Sequence, residues 1–190
     1  MVNNKYYSDL KVLNRKNPIF LNDWNAFHEQ EVLKIREKSI LIIGGAGSIG
    51  SAVAKILFGL GPKKLHVVDI NENSLADLVR SIRSTQGYVT EDFRTFCIDA
   101  LHPVFDNLFD LYGPYDTILN FAAIKHVRSE KDPLTLTRLW ETNVQLMYLL
   151  TKRAKENNVE TLFSVSTDKA ANPANLMGAS KRLMEVLGFN

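Results

Sequence analysis

From Ser39 onward the chain alternates short apolar runs with longer stretches in which apolar and polar residues are mixed. The apolar runs predict five buried strands, and the stretches between them have the length and apolar spacing of helices. The strands are SILIIG, KLHVVD, FRTFCID, YDTILNF and ETLFSVS. The helices cover Ser48–Gly59, Glu72–Gln86, His102–Tyr112 and Asp132–Asn157, and a last one begins near Met177. Continuous apolar strands joined by helices favour a parallel sheet that is covered on both faces. We therefore predict an α/β fold, a doubly wound parallel sheet of the Rossmann type.

Residues 1–37 do not share this alternation. The segment NKYYSDLKVLNRKNPIF is aperiodic, whereas WNAFHEQEVLKIRE predicts one helix, capped by Asn22 or Asp23. We interpret residues 1–37 as a partly helical N-terminal arm and residues 38–190 as the Rossmann domain. Because the last predicted helix is still running where the sequence stops, we expect that a lobe able to close over a substrate is truncated.

Composition narrows the class of protein. The chain has 190 residues, of which 45% are hydrophobic and 23% charged, and its formal net charge is +2. It has no basic run with interleaved aromatic residues, so we expect no nucleic-acid partner. The uncharged stretch from Ser39 to Ala54 has sixteen residues, fewer than the about 20 that a membrane span needs. The single cysteine, Cys97, excludes an internal disulfide and is predicted to be a buried, inert thiol. These features, with no secretory signal in the first residues, favour a cytoplasmic protein.

A glycine-rich turn follows the first predicted strand directly. Gly44, Gly47 and Gly50 have the spacing G-x-x-G-x-x-G and lead into the helix that begins at Ser48. Such glycines allow a tight turn, close approach of the backbone to a diphosphate, and close packing of helix on strand. We expect the amides of Ser48, Ile49 and Gly50 to face the diphosphate, because the start of a helix attracts anions. A glycine turn with no ligand is the competing interpretation.

Other residues at the same edge of the sheet complete the predicted dinucleotide site. Asp69 lies nineteen residues past Gly50, at the end of the second predicted strand, where its carboxylate would accept hydrogen bonds from ribose hydroxyls. That carboxylate favours NAD over NADP. Asp99 and Ala100 end the third predicted strand, where Asp99 is placed to meet an adenine or, equally, to cap the next helix. Ala122 and Ala123 are small residues where the backbone passes close to the cofactor.

Three segments of the second half of the chain resemble a known family. FAAIKHVRSEKDP, ETNV and STDKAANPANLMGASKRLME are similar to the polysaccharide-biosynthesis branch of the extended short-chain dehydrogenases/reductases, which includes UDP-N-acetylglucosamine 4,6-dehydratases. The similarity covers roughly residues 39–190. It implies tightly bound NAD, a UDP-sugar substrate, a homo-oligomer and a role in surface polysaccharide synthesis. In the implied reaction the sugar is oxidised at C4, loses water across C5 and C6, and is reduced again at C6.

The resemblance also implies roles for residues after the fifth predicted strand. Thr167 would hydrogen-bond the C4 oxygen, Asp168 would be the acid near C6, and Lys169 the base at C5. Lys181 would hold the nicotinamide ribose and ease proton loss from the C4 hydroxyl. The superfamily's usual tyrosine is here Met177, which has no proton to exchange, so the C4 proton would pass to Lys181, Asp168 or a water. Without the resemblance, a surface salt bridge in a loop is the alternative for Asp168 and Lys169.

The loop after the fourth predicted strand carries the expected substrate contacts. Lys125, His126 and Arg128 lie near the expected sugar position, and Lys125 or Arg128 can meet a diphosphate. We identify no cluster of histidines, cysteines and carboxylates of the kind that holds a metal, so we expect no metal. Asn143 lies inside a predicted apolar helix, where we expect its amide to bond neighbouring backbone.

Three functions therefore stay open. An acid near C6 favours a 4,6-dehydratase, because epimerisation needs no acid there. There are two alternatives. One is a nucleotide-sugar 4-epimerase or dehydrogenase on the same fold, and the other is a non-catalytic cofactor-binding module. We expect the 190-residue chain to bind NAD without turnover.

Overall fold

The computed structural model describes residues 21–87 and 89–189. The chain divides between Lys34 and Ile35 into two compact units. The helix predicted in the arm is present as α1, Leu21–Arg36. It begins earlier than predicted, so Asn22 and Asp23 lie in its first turn and do not cap it. The predictions for residues 1–20 lie outside the described residues.

Five parallel strands form one sheet. They are β1 Ser39–Ile43, β2 Lys64–Asp69, β3 Asp92–Cys97, β4 Thr117–Asn120 and β5 Thr161–Ser164. Their order is β3-β2-β1-β4-β5, so the chain moves outward from β1 to β3 and then returns to the other side of β1. In the register, Ile43 lies level with Val68 of β2 and Asn120 of β4. The gap between the carboxyl ends of β1 and β4 is thus the point at which the strand order reverses, where ligands bind in such sheets.

Helices cover the connections between strands. They are α2 Ser48–Leu60, α3 Glu72–Gln86, α4 Asp106–Tyr112, α5 Pro133–Trp140, α6 Leu146–Glu156 and α7 Leu176–Phe189. Two predicted helices differ in detail. The helix predicted from His102 starts as a 3₁₀ turn, Pro103–Phe105, before α4. The long helix predicted over Asp132–Asn157 is α5 and α6 joined by a π-helical turn, Glu141–Gln145.

The central strand explains the continuous apolar runs. All five residues of β1 are buried, because helices pack on both faces of the sheet. Leu41 and Ile43 belong to a cluster that includes residues of α4 and α6. Ile40 and Ile42 belong to a second cluster that includes residues of α2 and α3. Each buried aliphatic side chain contributes about 1.5–3 kcal/mol relative to an exposed one, so this strand anchors both layers.

The prediction of a buried Cys97 is wrong. Its thiol is exposed, and its Sγ makes one long contact, 3.6 Å, to the carbonyl oxygen of Ile70. β3 is an edge strand, and its residues are at most half-buried. An apolar pattern does not tell which strand will be at the edge, and that position decides the exposure of the thiol.

Candidate functional site

Two glycines of the turn are required by packing within the protein. Gly44 has a φ of 70°, and a Cβ placed there would lie 2.5 Å from the amide nitrogen of Ala122. A Cβ at Gly50 would lie 2.3 Å from the carbonyl oxygen of Gly44. Both distances are far inside van der Waals contact with backbone atoms that cannot move independently. The turn after β1 therefore packs tightly against the start of α2 and against the chain that leaves β4.

Gly47 differs from these two glycines. It precedes α2 as the N-cap with a φ of −68°, a value that any residue adopts. The nearest atom to a Cβ placed at Gly47 is the carbonyl oxygen of Gly44, at 3.4 Å. The first amides of a helix have no acceptor within it, and among the described residues no side chain caps α2. The amides of Ser48, Ile49 and Gly50 are therefore available to an anion, and Gly47 leaves the space before them open.

Asp69 faces the turn from the end of β2. Its Oδ2 accepts a hydrogen bond from the amide of Ala46 at 2.9 Å, and its Oδ1 accepts one from the amide of Asn71 at 3.0 Å. The carboxylate thus connects the glycine turn to the chain that enters α3. Each carboxylate oxygen has a second lone pair, so both hydrogen bonds are compatible with a further donor.

Asp69 lines a cavity of about 260 Å³, which we call the first cavity. The other predicted site residues on its wall are Gly44, Gly47, Asp99, Ala100, Ala122 and Ala123. Arg138 of α5 also lines it and was not among the residues that the sequence singled out.

Asp99 does not cap the following helix with its side chain. Its Oδ1 accepts from the amide of Leu101 at 3.0 Å, whereas His102 caps the 3₁₀ turn through its own ring nitrogen.

A second cavity, of about 470 Å³, adjoins the same turn. It brings together the glycine turn and predicted catalytic and substrate residues from three separate parts of the chain. Its predicted site residues are Gly44, Gly47, Ser48, Ile49, Gly50, Ala123, Lys125, His126, Thr167, Lys169, Met177 and Lys181. Asp168 and Arg128 are not on its wall, and both are exposed. Each lies in a short 3₁₀ turn, and the sequence does not reveal which side chains of such a turn face the cavity.

Lys181 is the buried cation of this cavity. The residue is 4% exposed, and its Nζ donates to the carbonyl oxygen of Val165 at 3.0 Å and to Met184 Sδ at 3.4 Å. Burial disfavours the charged form and lowers the pKa of Lys181 to about 8. An ammonium group has three donors, and these two contacts leave one for a ligand.

The side chains after β5 contact one another. The Thr167 hydroxyl donates to Asp168 Oδ1 at 2.9 Å, and the Lys169 amide donates to the same oxygen at 3.0 Å. These two hydrogen bonds hold the pKa of the Asp168 carboxyl below its usual range, and the one from Thr167 has the larger effect. The carboxylate is therefore ionised at neutral pH in this arrangement.

Helix α7 is held at its start by contacts that the sequence analysis did not predict. A Cβ at Gly178 would lie 2.6 Å from the carbonyl oxygen of Lys169, so the glycine lets α7 approach the turn after β5. The Gly178 amide donates to Asn175 Oδ1 at 2.8 Å, and the Met177 amide donates to Glu130 Oε2 at 3.2 Å. The segment NPANLMG contains an asparagine just before an apolar run, which is a capping signal.

Asn143 connects the loop after β4 to α7. It is buried in the π-helical turn, where its Oδ1 accepts from the Ile124 amide at 3.0 Å and its Nδ2 donates to the Ile124 carbonyl at 2.9 Å. The same Nδ2 donates to Ser180 Oγ at 2.9 Å. The predicted bond to neighbouring backbone is thus confirmed, and Ser180 is a partner that the sequence did not indicate. The network positions the loop between Ala123 and Lys125.

Comparison with known proteins now identifies the family. Residues 40–190 match the family model described as polysaccharide biosynthesis protein. The chain belongs to this polysaccharide-biosynthesis family. The resemblance found in the sequence is therefore confirmed.

Relatives of this family member carry several names. The chain is 37% identical over 153 residues to an uncharacterized membrane protein of Methanocaldococcus jannaschii, covering 80% of this chain and 43% of that protein. It is 29% identical over 147 residues to a UDP-N-acetylglucosamine 4,6-dehydratase (inverting) of Campylobacter jejuni, covering 76% and 41%. It is also 29% identical over 163 residues to a UDP-glucose 4-epimerase of Rickettsia prowazekii, covering 80% and 43%. The chain thus spans less than half the length of these relatives. Among the described residues, no helix is both long and apolar enough to cross a membrane.

Solved structures confirm the predicted fold. Pen from Bacillus thuringiensis superposes with a TM-score of 0.69 at 26% identity, over 80% of this chain and 45% of that one. The UDP-Glc/GlcNAc 4-epimerase from Campylobacter jejuni superposes with a TM-score of 0.67 at 22% identity, over 79% and 47%. The family member therefore has the doubly wound α/β fold that the strand and helix pattern predicts.

Proposed function

We propose that the chain is the NAD-binding part of a nucleotide-sugar 4,6-dehydratase that acts on the UDP-N-acetylglucosamine class in surface polysaccharide synthesis. One observation carries the proposal: the second cavity joins the glycine turn to Thr167, Lys169 and Lys181. The first and second cavities share Gly44 and Gly47, so one extended ligand can reach from Asp69 to Lys181. The relative named as a 4,6-dehydratase supports the choice of reaction.

The residues that line the first and second cavities suit a dinucleotide. The amides at the start of α2 suit a diphosphate, and Gly47 places no side chain in front of them. Asp69 suits the hydroxyls of the adenosine ribose, and its negative charge disfavours a 2′-phosphate, so we propose NAD and not NADP. When bound, NAD supplies a two-electron oxidant that the cycle regenerates.

Lys181 is the group that we assign to proton removal from the C4 hydroxyl. With a pKa of about 8, about a tenth of the side chain is neutral at pH 7, and a neutral amine accepts a proton. Met177 lines the same cavity but has no proton to exchange, so it contributes shape alone. In the charged form, the third Nζ donor of Lys181 suits the nicotinamide ribose; in the neutral form, the same position is the lone pair that accepts the proton. Of the three carriers that the sequence left open, Lys181 is the one that is buried in the cavity.

Asp168 acts as an acid only if it first gains a proton, and the proposal links that step to Thr167. In the structure the Thr167 hydroxyl donates to Asp168. When that hydroxyl turns to the C4 oxygen of a bound sugar, Asp168 loses the hydrogen bond that most lowers its pKa. The carboxyl then protonates more readily. Because Asp168 is exposed and off the wall of the second cavity, the 3₁₀ turn Asp168–Ala170 must also move before this group can release the C6 hydroxyl as water. We assign removal of the C5 proton to Lys169, which lies on the cavity wall. That proton balances the one that Asp168 gives to the leaving hydroxyl group.

Lys125 and His126 are the proposed contacts to the nucleotide sugar, since both line the second cavity. Arg128 lies outside the wall of that cavity, so a contact to the diphosphate requires the 3₁₀ turn Val127–Lys131 to move. A homo-oligomer and a cytoplasmic location stay predictions.

Mass spectrometry of UDP-N-acetylglucosamine incubated with the full-length parent protein tests the proposal. The expected product is lighter by one water, and NAD is not consumed. Lys169→Met is expected to abolish that product, whereas Lys152→Met, which removes a surface lysine that pairs with Glu156, is expected to leave it unchanged. A product of unchanged mass would overturn the proposal.

The Rickettsia relative favours one alternative, a UDP-sugar 4-epimerase. The same incubation separates the two, because epimerisation inverts C4 without loss of water. A non-catalytic module would bind NAD and leave the sugar unaltered.

A further inference from the structure

Arg138 is the one basic side chain among the described residues that line the first cavity. It lies on α5, and its Nη2 donates to Asp99 Oδ2 at 2.5 Å. Its Nη1 donates to Glu141 Oε2 at 3.3 Å. The guanidinium therefore joins a carboxylate that follows β3 to one at the π-helical turn. Its side chain is 38% exposed, which leaves it partly enclosed at the cavity wall.

Asp99 is oriented by donors on two different segments. One oxygen accepts from Arg138, and the other accepts from the Leu101 amide. The wall around this carboxylate is apolar, with Ile98, Ala100 and Leu101 beside it. A carboxylate that is fixed at the wall of an apolar slot recognises an N–H donor, because it has acceptor lone pairs alone. Adenine presents such a donor, its 6-amino group, whereas a base with an oxygen at that position presents an acceptor.

We propose that Arg138 is a positioning residue that holds Asp99 so that the first cavity selects a base with a 6-amino group. The inference rests on the proposed function, because it requires the adenosine half of the dinucleotide to lie in the first cavity. Without Arg138, the Asp99 carboxylate keeps the Leu101 hydrogen bond but is free to rotate away from the base.

Isothermal titration of the 190-residue chain with NAD and with nicotinamide hypoxanthine dinucleotide tests the role of Arg138. The two ligands differ at the 6-position and the adjacent ring nitrogen of the base. The wild type is expected to bind NAD at least about tenfold more tightly, the effect of one mismatched polar contact in a partly buried site. Arg138→Leu is expected to reduce that ratio to within about threefold, since a mobile carboxylate discriminates poorly. Arg138→Lys keeps a charged donor and is expected to restore part of the ratio.

Arg153→Leu is the matched control. Arg153 likewise pairs with two carboxylates, Asp106 and Glu156, the second also three residues further along the chain. It does not line either cavity, so its loss is expected to leave the ratio of the two affinities unchanged.

Three outcomes would overturn the role of Arg138. They are a wild type without preference, an Arg138→Leu variant with the wild-type ratio, and an equal loss of affinity for both dinucleotides, which a purely structural role would cause. A wild type that binds neither dinucleotide would overturn the proposed function itself, and this inference with it.

Discussion

Replacing Gly47 with alanine separates the binding role of the glycine turn from its role in folding. The added methyl group would lie 3.4 Å from the Gly44 carbonyl oxygen, and the φ of −68° suits alanine. Alanine is a poorer N-cap than glycine by about 0.5 kcal/mol, but it restricts the unfolded chain by a similar amount, about 0.4–1 kcal/mol. We therefore expect the free energy of unfolding to change by less than about 0.5 kcal/mol.

Binding is expected to respond differently, because the methyl group fills the space before the amides of Ser48 and Ile49. Loss of close approach by one charged group costs at least about 1.4 kcal/mol, a tenfold loss of affinity for NAD. Gly50→Ala is the contrasting variant. Its Cβ would lie 2.3 Å from the Gly44 carbonyl oxygen and 2.7 Å from the Gly45 Cα. That overlap is expected to destabilise the fold by about 1–3 kcal/mol.

Urea unfolding and calorimetric titration with NAD measure the two effects on the same preparations. Gly47→Ala should keep the urea midpoint of the wild type and lose NAD affinity, whereas Gly50→Ala should lose stability. Wild-type NAD affinity in a stable Gly47→Ala variant would refute the assignment of the turn to a diphosphate. A midpoint for Gly47→Ala as low as that of Gly50→Ala would refute the packing argument.

Three further predictions concern titratable groups. Lys181→Met should raise the free energy of unfolding at pH 7, by up to about 3 kcal/mol, because a pKa lowered from 10.5 to about 8 is a cost of burying the charge. Between about pH 8 and pH 10.5 the unfolded state binds more protons than the folded state, so the free energy of unfolding of the wild type should rise with pH above about 8. Urea unfolding at several pH values measures this rise, and a Lys181→Met variant that shows the same rise would contradict the prediction. Thr167→Val should raise the pKa of the Asp168 carboxyl, measured by carbon-13 NMR, and an unchanged or lower value would remove the proposed link between them. Burial lowers the pKa of His66, whose ring is hydrogen-bonded to Tyr115 and Asp92; wild-type stability should therefore fall as the pH drops below about 6.5, and His66→Gln should lack this loss.

The order of elements and the glycine turn could be predicted because their signals are local. The run SILII is apolar at every position, which fits a strand buried on both faces, and β1 has that burial. The spacing of Gly44, Gly47 and Gly50 likewise reflects contacts between residues close in sequence, apart from the approach of Gly44 to Ala122. Local patterns of this kind do not depend on how distant segments pack.

Other features depend on distant segments and could not be predicted. Cys97 is exposed because β3 is at the edge of the sheet, and no residue of that strand signals its position. Asp168 lies off the cavity wall because of the direction of a three-residue 3₁₀ turn. Arg138 meets Asp99 across 39 residues of sequence. Such contacts form only in the folded chain, and no local pattern in the sequence marks them.

The claim on which the account depends is that the amides at the start of α2 hold the diphosphate of NAD. Amide chemical shifts of the nitrogen-15-labelled chain during NAD titration test it directly. The amides of Ser48, Ile49 and Gly50 are expected to shift and saturate together. The start of α3 is the internal control, because its Ser74 amide already donates to the Asn71 side chain at 2.9 Å. Shifts at Ser48 to Gly50 with an unchanged Ser74 amide would agree with the account, and saturation with NAD that leaves the first amides of α2 unmoved would contradict it.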